Sequence, residues 1–83
     1  MATRDPGAAF LRAFGQAVRK QRASAKLSQE DLGFRSKLDR TYISGIERGV
    51  RNPTLKTIVR IASALDTSPE RLITTAQATV DKS

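Results

Sequence analysis

The sequence predicts an all-α fold, a compact bundle of five helices, and three observations lead there. Apolar residues recur at spacings of three and four across residues 10–21 and 55–65, which is the helical period. Helix-starting residues, Ser28, Asp39, Thr54 and Ser68, stand ahead of each later stretch, and each can accept a hydrogen bond from an orphan backbone amide. The 83 residues are enough for one small core and leave no room for a second domain.

Residues 1–7 have no periodicity, so the first few are expected to fray until Pro6 or Gly7 leads into a helix. Phe10, Phe14, Ala17, Val18 and Gln21 then form a stripe, while Arg12, Arg19, Lys20 and Arg22 mostly lie elsewhere on the wheel. This is an amphipathic helix to about Ser24. Aromatics at helical spacing beside other apolar residues belong to a core sooner than to a base-stacking pair; Phe14 is read as core and Phe10 as peripheral.

Ser28 with Asp31 three residues on is a capping signal, and Glu30 and Asp31 favour the positive end of the helix that starts near Gln29. That helix runs out around Ser36. Leu32 and Leu38 read as core. Gly33 costs up to ~1 kcal/mol of helix propensity and allows a close approach. A positive φ at Lys37 would carry strain. Phe34 lies off the stripe and is expected to be partly exposed.

Asp39 caps a third helix, Arg40 to Arg48, which Gly49 ends in the left-handed conformation glycine tolerates. Ile43, Ile46 and Glu47 fall on its packing arc. Thr41, Ser44, Gly45 and Arg48 fall opposite, flanked by Arg40 and Tyr42. A face of hydroxyls, a small residue and arginines suits the base edges and phosphates of a major groove. Glu47, on the packing side, needs a partner, because a buried unpaired carboxylate costs several kcal/mol.

Val50 to Pro53 is a short loop carrying Arg51. Thr54 caps a fourth helix, residues 55–65, whose stripe of Leu55, Ile58, Val59, Ala62 and Leu65, with Ile61 beside it, is expected to be largely buried. Ser68-Pro69-Glu70 restarts the chain as a fifth helix from Pro69 to about Thr79, and Asp81, Lys82 and Ser83 look frayed. Leu72, Ile73, Ala76 and Val80 give this helix more apolar surface than a solvent-facing terminal helix requires. Either the other four helices consume it or part of it meets a second copy.

Composition narrows the function. Fifteen Lys and Arg against eight Asp and Glu give a formal charge of +7, spread along the chain, which makes a polyanionic partner plausible and is equally compatible with a solvated surface. There is no cysteine and no histidine. A disulfide framework, the usual zinc ligand sets, and Ser-His-Asp or Cys-His catalysis are therefore absent, and no metal, cofactor or enzymatic activity is expected. No run approaches the roughly 20 apolar residues that cross a bilayer, so no membrane partner and a cytoplasmic or nucleoid-associated location are expected.

The run Ser28-Gln29-Glu30-Asp31-Leu32, then Tyr42-Ile43-Ser44-x-Ile46-Glu47-Arg48-Gly49, then Asn52-Pro53-Thr54 resembles the Cro/CI-type (Xre-like) helix-turn-helix regulators. The segment from Leu38 to Arg48 is similar to the controller proteins of restriction-modification systems. The resemblance implies a lambda-repressor-like domain over residues 1–83 with its helix-turn-helix at about 28–48. It also implies a dimer formed through the helix at 69–79, with Leu72, Ile73 and Ala76 at the interface. The expected partner is double-stranded DNA bearing a pseudo-palindromic operator, with RNA polymerase added if the protein activates. By the same resemblance Arg22 pairs with Glu47, Gln29 contacts the DNA backbone, and Arg40 and Thr41 meet bases. Ser44 and Arg48 share that face, Arg48 meeting either base or phosphate; Tyr42 touches backbone or sugar. Arg51, as a phosphate contact, and Asn52 complete the set. Phage repressors, autoregulating antitoxins and, from another class, protein-interaction modules on the same scaffold are the alternatives. Against the last stand Arg40, Thr41, Ser44 and Arg48 together on one face.

Overall fold

A computed structural model describes residues 5–82. Its helices are α1 (Pro6–Ser24), α2 (Gln29–Ser36), α3 (Arg40–Glu47), α4 (Leu55–Ala64) and α5 (Pro69–Asp81). Fraying expected at residues 1–4 and at Ser83 lies outside the described residues. Within them α1 begins at Pro6, as expected, and α5 runs longer than expected. Asp5 caps α1 by accepting from the Gly7 amide at 3.0 Å, and α5 continues to Asp81.

Each start follows local chemistry. The side chains of Ser28, Asp39, Thr54 and Ser68 accept from Asp31, Thr41, Thr57 and Arg71 amides respectively. The ends share one device. In α1, α2, α3 and α4 the chain turns back through a left-handed residue, at Lys26, Lys37, Gly49 and Asp66, with φ of 60°, 60°, 76° and 56°. After each, the next amide reaches a carbonyl of the last helical turn: Leu27 to Arg22, Leu38 to Gly33, Val50 to Gly45 and Thr67 to Ala62. These are Schellman closures. Only one uses glycine, so Lys26, Lys37 and Asp66 each hold a conformation that costs about 1–2 kcal/mol for an L-residue.

The core gathers Ala13, Phe14, Ala17 and Val18 of α1, Leu32 of α2, Ile43 and Ile46 of α3, Ile61 and Ala62 of α4 with Leu65 just beyond it, and Leu72 and Ala76 of α5. Phe10 and Leu38 are half-buried against it. Gly15 is where α1 meets α3. A Cβ there would stand 2.6 Å from the Glu47 carbonyl oxygen and still nearer that of Ile46, so the absent side chain lets the two backbones touch.

Two apolar expectations change. Residues 55–65 are not largely buried: Leu55 is 81% and Val59 53% exposed. At about 100° per residue these two lie on the edge of the stripe farthest from Ile61, beyond the arc that so small a core can cover. On α5, Leu72 and Ala76 are spent inside the protomer, packed towards α1, which leaves Ile73, 37% exposed, as the one member of the expected interface facing outward. Phe34 is 86% exposed, more than expected. No helix among the described residues is long and apolar enough to cross a membrane.

Candidate nucleic-acid interface

The interface is built on α2, the turn after it, and α3. Ser28 and Asp31 satisfy each other's backbone amides, Asp31 N to Ser28 Oγ at 2.9 Å and Ser28 N to Asp31 Oδ2 at 3.0 Å. The bond donated by the Ser28 amide, first, and the Ser28 side chain, second, hold the Asp31 carboxyl below its ordinary value of 3.8. At the other end of α2 the Ser36 hydroxyl donates to the Leu32 carbonyl at 2.7 Å. A Cβ on Gly33 would lie 2.7 Å from the Leu38 carbonyl oxygen, so glycine lets the turn fold tightly onto α2.

Arg60, which the sequence reading passed over, closes this turn from α4. Its Nε donates to the Ser36 carbonyl at 3.1 Å and its Nη2 to the Lys37 carbonyl at 2.9 Å. A cation placed on the orphan carbonyls of a helix end also opposes the negative end of the dipole. A lone arginine on a predicted helix carries no sequence signal of this, because the carbonyls it serves lie more than twenty residues upstream.

Helix α3 is fixed from its buried side. Arg22 donates Nε to Glu47 Oε2 at 2.6 Å and Nη2 to Oε1 at 3.0 Å, and its Nη1 reaches the Leu27 carbonyl at 2.7 Å. The hydrogen bonds to Glu47 raise the Arg22 pKa above its already high ordinary value. Gln29 joins them: its Nε2 donates to Glu47 Oε1 at 3.1 Å. The side chain expected on the DNA backbone thus commits one amide hydrogen to the carboxylate that anchors α3. One guanidinium and one carboxylate tie α1, the loop after it, α2 and α3 together.

On the outer side Arg40, Thr41 and Arg48 are exposed and Ser44 and Tyr42 half-buried. Arg48 leans over its own helix, Nε 3.4 Å from Ser44 Oγ. Asn52 is exposed in the loop. Gly45, expected on the displayed face, is buried instead, because the Arg51 side chain crosses it and carries its guanidinium to 5.8 Å from the centre of the Tyr42 ring. From Arg40 to Asn52 the exposed charges are all arginines, since Glu47 faces inward. Such a surface attracts phosphate and offers side chains able to read base edges.

Two eight-residue helices joined through a left-handed Lys37, the second presenting its polar side outward, define a protein of the helix-turn-helix class. The helix-turn-helix family pattern matches residues 18–72. Control protein C.BamHI of Bacillus amyloliquefaciens is 51% identical over 61 residues, covering 72% of this chain and 75% of that protein. The crystal structure of the restriction-modification controller protein C.AhdI from Aeromonas hydrophila superposes with a TM-score of 0.74 at 50% identity, covering 75% of this chain and 94% of that one. The controller protein C.Esp1396I, crystallised as a tetramer in complex with its natural 35 base-pair operator, matches with a TM-score of 0.72 at 40% identity over 82% of this chain and 95% of that one. The chain belongs to the helix-turn-helix family, and within it is similar to the controller proteins of restriction-modification systems.

Proposed function

We propose that this protein is a sequence-specific DNA-binding transcriptional regulator of the controller type, acting by binding and not by catalysis, in the cytoplasm where its operator lies. The observation that carries the reading is the outer side of α3: Arg40, Thr41 and Arg48 exposed, Arg51 laid beside them, and the helix's own carboxylate turned inward onto Arg22. A scaffold that binds only protein has no need of that cationic row. The relative C.Esp1396I, crystallised on its operator, supports it.

The functional unit is a two-fold dimer, with recognition helices about 34 Å apart so that each enters successive major grooves of a pseudo-palindrome. Ile73 on α5 and Leu55 and Val59 on α4 supply exposed apolar surface for the pairing. RNA polymerase is a further partner if the protein activates.

Selection of the full chain against a random duplex pool tests this. It should enrich a pseudo-palindrome, and affinity for the enriched site should fall steeply with salt as counterions are released. Failure to retain any duplex at low salt, or retention without enrichment, overturns the reading in favour of an interaction module or a nonspecific cation.

A further inference from the structure

Gly45 stands mid-helix on the arc that carries Thr41 and Arg48, where a glycine weakens the helix relative to alanine. It is nevertheless buried, and the reason is Arg51. A Cβ on Gly45 would lie 2.6 Å from Arg51 Cγ, 3.3 Å from Nε and 3.5 Å from Cδ, so the arginine stem occupies the space a side chain would take. Beyond the notch the guanidinium carbon sits 5.8 Å from the centre of the Tyr42 ring, within reach of a cation–π contact. Tyr42 and Gly45, three residues apart, are neighbours on the helix surface. The chain is returned to this spot by the closure of α3, Gly49 at φ 76° with the Val50 amide on the Gly45 carbonyl at 2.9 Å.

Among the described residues no carboxylate or carbonyl takes the Arg51 N–H groups; stem and ring hold it while its donors remain available. A long cation that is already placed gives up less rotamer freedom on meeting a phosphate or base than one loose in water. The contact that displaces a methyl group from Gly45 is with the middle of a flexible side chain, not with backbone.

We infer that Gly45 is a positioning residue for DNA binding: its missing side chain is the notch in which Arg51 lies, and with the Tyr42 ring it sets where Arg51 meets the duplex. The inference rests on the DNA-binding reading above. Gly45→Ala should therefore fold as well as the parent or better, because helix propensity favours alanine, and yet bind worse, because Arg51 is lifted off its seat.

Binding of the parent chain to the selected operator is measured first; a parent that binds no duplex refutes the DNA-binding reading itself. With a binding parent, Gly45→Ala is expected to weaken operator binding about tenfold, one charge-assisted contact's worth, with an unfolding midpoint equal to or above the parent's. Arg51→Ala should lose at least as much, and adding Gly45→Ala to Arg51→Ala should cost nothing further, since the notch acts only through the arginine. In the free protein the Arg51 side-chain protons should show upfield NMR shifts from the Tyr42 ring, relaxing towards random-coil values in Gly45→Ala. Parental affinity in Gly45→Ala, a further loss in the Arg51→Ala background, a lowered midpoint, or unchanged Arg51 shifts would each overturn it.

Discussion

Arg22 and Glu47, twenty-five residues apart, face each other through two parallel hydrogen bonds of 2.6 and 3.0 Å, with side chains only 14% and 3% exposed. Fork-to-carboxylate pairing is specific in direction as well as charge, so it fixes the rotation of α3 about its own axis and hence which residues face outward. Removing the carboxylate leaves the Arg22 guanidinium and the Gln29 amide without their acceptor. Glu47→Ala should lower stability by about 3 kcal/mol, the lower end for a buried pair, since Arg22 keeps an edge in solvent. Thermal unfolding measures it, and a midpoint equal to the parent's would reduce the pair to surface decoration.

Asp31 gives the cap of α2 a pH dependence. Its pKa is lower folded than unfolded because the Ser28 amide and hydroxyl bond its carboxylate. A depressed carboxyl contributes stability that is fully present above the unfolded value, ordinarily 3.8, and is lost as pH falls from there through the folded value. Asp31→Asn should therefore be less stable than the parent at neutral pH, with the gap closing as the solution is acidified through that interval. A gap independent of pH would assign the difference to something other than the carboxylate.

Arg40, exposed in the first turn of α3, is the side chain with the reach for a bidentate guanine contact. Arg40→Ala should lose ~1–3 kcal/mol on the cognate site and little on random duplex, flattening preference at one base pair in each half-site. Equal losses on both duplexes at matched salt would make Arg40 a phosphate contact and leave reading to Thr41, Ser44 or Arg48.

The exposed apolar residues give the dimer a sharper test than α5 alone. Because Leu72 and Ala76 are core residues of the protomer, changing them reports on folding. Ile73→Asp and Leu55→Asp alter residues that face outward, so each should shift sedimentation towards monomer and weaken operator binding while the unfolding cooperativity of the monomer survives. Dimers that persist in both variants would place the two-fold contact elsewhere.

The starts of all the helices after the first were legible in the sequence because a cap is a contact between residues two or three apart, and the packing arc of α3 because it repeats every turn. Glu47 was legible as a paired carboxylate on that arc, with Arg22 supplied by resemblance to a family. Tertiary structure alone decided what depends on how five helices share one small core. It exposes Leu55 and Val59 although they lie on an apolar stripe, and it spends Leu72 and Ala76 inside the chain. It bonds Gln29 to Glu47 and sends Arg60 back to the carbonyls of Ser36 and Lys37. It also lays Arg51 in the notch at Gly45. A helical period states which residues share a face, but the width of that face that is covered, and which long cation reaches across it, are set by the neighbouring elements, which lie beyond the few residues over which local sequence acts.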